Sequence, residues 1–188
     1  MTRADVRRPS AEALIVDIFE RCYGAHVSAF PEALIAKFDI DEQQPVCAAG
    51  LRFARDGFFS EQYLDQPIEQ ILSATCEFPV KRAELIEVTS LASCSARHTF
   101  GFIRAIILYG QLLGCSWAFF TLTNRLSRLL SHLGVDLIHV ANAESQRVSR
   151  GADWGSYYSH GPRVFALRNP AYSMATHSIK ERRHALSL

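Results

Sequence analysis

Between residues 83 and 135 the spacing of apolar positions changes period along the chain. Leu85, Ile86 and Val88 around Glu87 make a short run rich in β-branched residues, and Phe102, Ile103, Ile106, Ile107, Tyr109, Leu112 and Leu113 then recur at helical spacing. A second apolar run, WAFFTLT, follows at 117–123, and NRLSRLLSHLGV reads as another helix. The order strand, helix, strand, helix is a βαβ unit with its next helix attached. Two parallel strands joined by a crossover helix leave a cleft beyond their carboxyl ends, where α/β proteins seat ligands. The chemistry is therefore expected near Glu87, Ser90 and Cys94, and near residues 121–124, which include Thr121 and Asn124.

Upstream, Leu14, Ile15, Ile18 and Phe19 share one face of a helix predicted over 11–23, with Ser10 as its N-cap. Pro31 is expected to open a second short helix through Leu34, Ile35 and Phe38. Residues 46–54, VCAAGLRFA, read as a strand after a polar turn at 41–45, and Gly50 at its middle predicts a close backbone approach or a bulge. Arg52 in that strand is either a ligand contact or a solvated partner. Phe59, Tyr63, Ile68, Ile71 and Leu72 predict a loop-and-helix lid broken at Pro67. Downstream, 135–140 reads as a strand, 141–150 as a polar helix or connector, and 163–167 as a last strand after a turn carrying Trp154, Tyr157 and Tyr158. The fold class is α/β (α+β), one domain over 11–170, with a disordered tail at 1–10 and a basic tail at 171–188.

Composition narrows the function. Twenty Lys and Arg against nineteen Asp and Glu leave a net charge of +1, which gives no general attraction to nucleic acid or anionic membrane. Five cysteines, widely spaced and without C-x-x-C, predict neither a disulfide framework nor a zinc site, but reduced thiols in the cytoplasm. The histidines lack metal-site spacing, so no metal is expected. Residues 101–123 are mostly apolar, yet Arg104 and Gln111 interrupt them, and a buried helix, a turn and a strand account for them better than a membrane span.

Seven segments carry a family resemblance: YGAHV (23–27), AAGLRFA (48–54), EQYLDQPIE (61–69), EVTSLAS (87–93), WAFFTLT (117–123), LGV (133–135) and WGSYY (154–158). Over most of 20–168 the chain resembles the thermostable hemolysin family, whose members look like GNAT acyltransferases and acyl-homoserine-lactone synthases. The resemblance implies a GNAT-like fold, a mixed twisted sheet with helices on both faces. It also implies transfer of an acyl group from a pantetheine thioester to an amine, such as an amino acid or another small-molecule amine. In that fold the pantetheine arm lies between the two central strands, here against the backbone of Val88, Thr89, Ser90, Leu91 and Ala92, and a backbone N–H polarises the thioester carbonyl. Thr121 and Asn124 stand at the end of the second strand.

The same resemblance assigns roles. Glu87 is the candidate base that takes a proton from the amine; a strand carboxylate paired with Lys81, Arg82 or Arg52 is the competing reading. GNAT enzymes that bind coenzyme A carry a glycine-rich turn at the helix start, whereas SCSARHTFG (93–101) has one late glycine and leaves Ser95 and Arg97 to cradle a phosphate. That favours a donor on an acyl or peptidyl carrier protein, which presents a single phosphate, over coenzyme A. No cofactor is expected to be tightly bound. Tyr157 or Tyr158 is expected to protonate the leaving thiolate, with Tyr158 taken as catalytic and Tyr157, Arg52, Tyr63 and Trp154 as substrate contacts. Cys94, beside Arg97 and His98 at a helix start, is a candidate nucleophile or a small loop filler. His98 is a candidate base or phosphate ligand. A catalytically degenerate scaffold used for binding, and a membrane-active protein, are the alternatives from other classes.

Overall fold

The computed structural model describes residues 1–39 and 44–169. In chain order it contains α1 (Arg8–Tyr23), β1 (Ala33–Phe38), β2 (Pro45–Phe53), a 3₁₀ turn (Phe59–Tyr63), α2 (Ile68–Cys76), β3 (Leu85–Ser93) and α3 (Ala96–Leu112). There follow β4 (Trp117–Leu122), α4 (Asn124–His132), β5 (Ile138–Asn142) and β6 (Arg163–Arg168). The strands form one sheet in the order β1-β2-β3-β4-β6-β5. Only β3 and β4, joined through α3, run parallel; every other neighbouring pair is antiparallel.

Strand alternation sends alternate side chains to opposite faces, and each face has its helices. Ile86, Val88, Ala118 and Phe120 meet Phe102, Ile103 and Ile106 of α3 and Leu130 of α4. On the other face Leu85, Trp117 and Phe119 meet Ile68 and Leu72 of α2, while Ala11, Ile15 and Phe19 of α1 cover Ala48 and Ala92. This is the mixed sheet with helices on both faces that the resemblance implied. No helix among the described residues is long and apolar enough to cross a membrane.

The central irregularity lies in β3. Its pairing with β4 runs from Leu85↔Trp117 to Val88↔Phe120 and stops. Beyond that point β3 pairs only with β2, and β4 only with β6, through Thr121↔Val164 and Leu122↔Arg163. Ser90, in the left-handed region at φ 49°, shares with Leu91 the place opposite Ala49, which is a β-bulge. The extra residue reverses the alternation: Val88 packs under α3, but Ala92, four residues on, packs under α1. The bulge thus bends β3 away from β4 where the gap between them opens.

Several sequence expectations are corrected. The helix expected after Pro31 is strand β1, because ALIAKF finds its backbone partners along β2, from Ala33↔Leu51 onward, and buries Leu34 under α1. Helix α1 begins at Arg8 with Pro9 in its first turn, and Ser10 is no N-cap; its hydroxyl donates to the Arg7 carbonyl. Strand β5 starts at Ile138 rather than at 135, and it extends into the stretch expected to be a polar connector. The polar turn at 41–45, apart from its last two residues, and the tail at 171–188 lie outside the described residues.

Residues 1–10, expected as a disordered tail, are fastened to the body. The Met1 ammonium donates to the Leu34 carbonyl at 2.7 Å. Arg8 is buried and donates to the Pro31 carbonyl at 2.7 Å, the Glu32 carbonyl at 2.5 Å and the Glu12 carboxylate at 2.7 Å. Leaving such acceptors without a donor costs about 1–3 kcal/mol each. An Arg8→Met variant is therefore expected to lose about 3 kcal/mol in urea unfolding. A loss below about 1 kcal/mol would show that this latch does not hold α1 to the sheet.

Candidate active site

Where β3 and β4 part, the structure holds a cavity of about 260 Å³. Val88, Thr89, Ser90 and Leu91 line it from β3, and Thr121, Thr123 and Leu126 from the other side of the gap. The lid contributes Phe59, Ser60, Gln62 and Tyr63. Phe19, Tyr23, Trp154 and Tyr157 form an aromatic end, with Tyr23 and Tyr157 edge to face at a centroid distance of 5.2 Å. Gly50 permits this closure. A Cβ there would collide with Thr89 Oγ1 and lie 2.6 Å from Pro31 Cγ, so only glycine lets the loop through Pro31 settle over β2.

Glu87 is fully buried and stands behind the cavity wall rather than in it. Its Oε2 accepts from the Phe59 N–H at 2.6 Å and its Oε1 from the Ser60 N–H at 2.7 Å. Of the partners in the competing reading, Arg82 serves Glu61 and Glu69, Lys81 lies by Glu84, and Arg52 stands across the strand from Glu87 without an ion pair at contact distance. Burial pushes the Glu87 carboxyl up, against the opposing pull of the Ser60 hydroxyl, the two N–H donors and the nearby Arg52, and burial prevails. Ser60 connects it to the cavity, since Ser60 Oγ lies 2.8 Å from Thr121 Oγ1.

Arg52, Tyr63, Trp154 and Tyr157 all line the cavity. Arg52 sits directly across from Glu87 in the β2–β3 register. Tyr63 shares a 2.8 Å hydrogen bond with the hydroxyl of Tyr158, which stands behind it and does not line the cavity. Burial raises both the Tyr63 and Tyr157 phenols, so each is held neutral; Tyr157 donates to the Thr121 carbonyl at 3.4 Å.

Other candidates fall elsewhere. Cys94, Ser95 and Arg97 are exposed at the start of α3, His98 is half-buried beside them, and none lines the cavity. Ser95 caps α3, its hydroxyl accepting from the His98 N–H. Ala92 is buried beneath α1, and Asn124 accepts from Arg163 at 2.9 Å beneath Gly161. Neither puts a side chain into the cavity. A Cys94→Ala variant is accordingly expected to keep its turnover within about twofold, measured on any thioester the protein uses; a loss of a hundredfold would restore the nucleophile.

Tyr23, His26, Ser60, Arg150 and Asp153 also line the cavity and were not among the residues expected there, whereas Thr123 falls within the expected 121–124 stretch. Tyr23 and His26 carried a signal in the YGAHV segment. Ser60 carried none, because its contacts cross 27 residues to Glu87 and 61 to Thr121. Among the described residues no cluster of three His, Cys, Asp or Glu side chains is placed to hold a metal ion.

Among solved structures, the chain is similar to FeeM, an N-acyl amino acid synthase from uncultured soil microbes, at 15% identity over 89% of this chain and 93% of that one, with a TM-score of 0.58. It is similar to the AHL synthase LasI at 11% identity, 88% and 85% coverage and a TM-score of 0.58. A CoA-dependent acyl-homoserine lactone synthase, MesI, follows at 15% identity, 87% and 83% coverage and a TM-score of 0.51. These likenesses show the fold, which is GNAT-like. A comparison with curated protein sequences gives no significant match. The sequence profile described as thermostable hemolysin matches residues 1–172, and the chain belongs to that family.

Proposed function

We propose that the protein is an acyltransferase that moves an acyl group from a pantetheine thioester to an amine held in the cavity. The observation that carries this reading is the gap: β3 pairs with β4 through Val88 and no further, and residues 89–91, unpaired on that side, line the cavity. An amide-bearing arm can lie along such an edge as an added strand, its own N–H and C=O groups bonding to the protein backbone. The fold neighbours include synthases of N-acyl amino acids and of acyl-homoserine lactones, which supports the same chemistry.

In this reading the amine nitrogen attacks the thioester carbonyl, a C–N bond forms, and a backbone N–H at the bulge stabilises the oxyanion. The amine proton leaves through Thr121 Oγ1 and Ser60 Oγ to Glu87. A base with a raised pKa holds that proton better at neutral pH than an ordinary carboxylate does. The C–S bond then breaks, and the neutral phenols of Tyr157 and Tyr63 stabilise the thiolate by hydrogen bonding, with Tyr158 holding Tyr63 in place. The proton taken up by Glu87 returns through Ser60 and Thr121 to the sulfur. This reading moves Tyr158 from direct acid to supporting partner. The start of α3, with exposed Ser95 and Arg97 and no early glycine, suits one phosphate better than a pyrophosphate, and favours a carrier-protein donor. Donors of either kind would place the protein in the cytoplasm.

The test is release of free thiol from acyl carrier protein and acyl-coenzyme A thioesters with a panel of amines. Thiol release that depends on the amine supports the reading. Release from none of the donors, with any amine, contradicts it.

A further inference from the structure

Arg52 is a cation in the cavity wall that feels the Glu87 carboxyl across the β2–β3 register but makes no ion pair with it. Among the described residues no carboxylate lies within 4 Å of its guanidinium. Its one hydrogen bond among the described residues runs from Nη1 to the Asp56 carbonyl at 3.4 Å, and its buried Nε has no partner there. The other arginine of the wall, Arg150, is already paired with Asp153 at 2.7 Å. Glu87, opposite Arg52 in the sheet, has both oxygens committed to the lid backbone. Beside Arg52 on the same face lies Thr89, whose Oγ1 is likewise buried and unpartnered over the bare Gly50. A buried N–H and a buried hydroxyl left without protein partners are unfavourable, and a ligand anion that accepts from both removes that cost.

Resting on the acyltransferase reading, we infer that Arg52 and Thr89 form a carboxylate subsite, so that the acceptor is an amino acid rather than a simple amine. The phosphate of the donor is the only other obvious anion. It belongs at the start of α3, and Ser95 follows Glu87 by eight residues, the first six of them in β3 and roughly 20 Å of strand, too far for one group to serve both places. An α-amino acid seated on Arg52 carries its amine one carbon away, in the cavity that also contains Thr121 and the gap. Arg suits the task because its planar fork matches a carboxylate.

The experiment is calorimetric binding of reaction products, which needs no turnover. The probes are N-octanoyl glycine, leucine, phenylalanine and tyrosine, each against its primary amide. For at least one pair the wild type is expected to bind the acid about ten- to a hundredfold more tightly than the amide. Arg52→Gln should reduce that ratio to within about twofold, and Arg52→Lys should leave an intermediate value. Thr89→Val, which keeps the shape and removes the hydroxyl, should weaken the acid severalfold and serves if the Gln variant does not fold. Acids and amides binding alike, no acid binding at all, or a preference that survives in Arg52→Gln would each overturn the subsite. A carboxylate preference without thiol release would keep the subsite and sink acyl transfer. Amine-dependent thiol release without the preference would do the reverse.

Discussion

Glu87→Gln is expected to slow amide formation by about 10²–10⁴-fold, the usual worth of a positioned general base, while changing the affinity for thioester by less than about threefold. The glutamine is nearly isosteric. Its oxygen can accept from one of the two lid N–H groups, but its NH₂ faces the other, so a stability loss of about 1–3 kcal/mol accompanies the rate effect. Two pH measurements separate a base from a strut. First, because burial raises the Glu87 carboxyl, the low-pH limb of the wild-type rate should lie above the ordinary range near about 4.3, and it should vanish from the residual rate of the variant. Second, the folded state holds the Glu87 proton more tightly than the unfolded chain does. Its contribution to stability is then full below about pH 4.3 and is lost as pH rises through the raised folded value. The stability gap between wild type and variant, read by urea unfolding, should therefore narrow with rising pH. A gap that widens would mean that the lid holds Glu87 as a carboxylate that strengthens the fold, and the base assignment would lose its footing.

Gly155→Ala is expected to be the most damaging single methyl in the chain. Gly155 has φ 50° and ψ −126°, a conformation essentially closed to residues with a Cβ. A Cβ would also run into the Tyr23 carbonyl and come within 2.7 Å of the Gly24 carbonyl, both rigid backbone. The next residue, Ser156, donates its N–H to the Tyr23 carbonyl at 2.7 Å, so this turn docks the Trp154–Tyr157 aromatics against the end of α1. Strain plus a backbone clash should cost about 3–5 kcal/mol out of the 5–15 kcal/mol available to a domain of this kind. It should also loosen the aromatic end of the cavity, lowering activity at temperatures where the fold survives. Gly134→Ala is the control: φ is 76°, but a Cβ there meets nothing within 4 Å, and a cost of about 1 kcal/mol is expected. Equal effects at the two positions in thermal unfolding would show that the contact with α1 contributes nothing.

The parts of the fold legible in the sequence were those whose period is long enough to be unambiguous. Residues 85–113 pass from a β-branched run to a helical repeat, and β3, α3 and β4 follow as read. Gly50 likewise announced its close approach through its place inside a strand. ALIAKF did not, because a six-residue run with four apolar positions in a row fits either period, and the choice was settled by a partner strand whose residues lie 7 to 18 positions along the chain. Arg8 looked like part of a charged tail since nothing local indicates the two carbonyls that bury it. At the site, the register put Glu87 beside the gap, but its aim depends on the lid backbone at Phe59 and Ser60, a contact made only in the folded chain. Cys94 and His98 carried plausible chemistry in sequence and lost it in space, because neither lines the cavity.

Acyl transfer at this site requires a thioester arm in the opening between β3 and β4. A crystal structure with a non-reactive acyl-pantetheine analogue tests this most directly. The arm should run along the backbone of residues 89–91 beyond the last β3–β4 pair, its amides bonded there and its acyl carbonyl turned toward the Thr121 side of the gap. An analogue bound outside the cavity, with those backbone groups still facing an empty opening, would contradict the proposal.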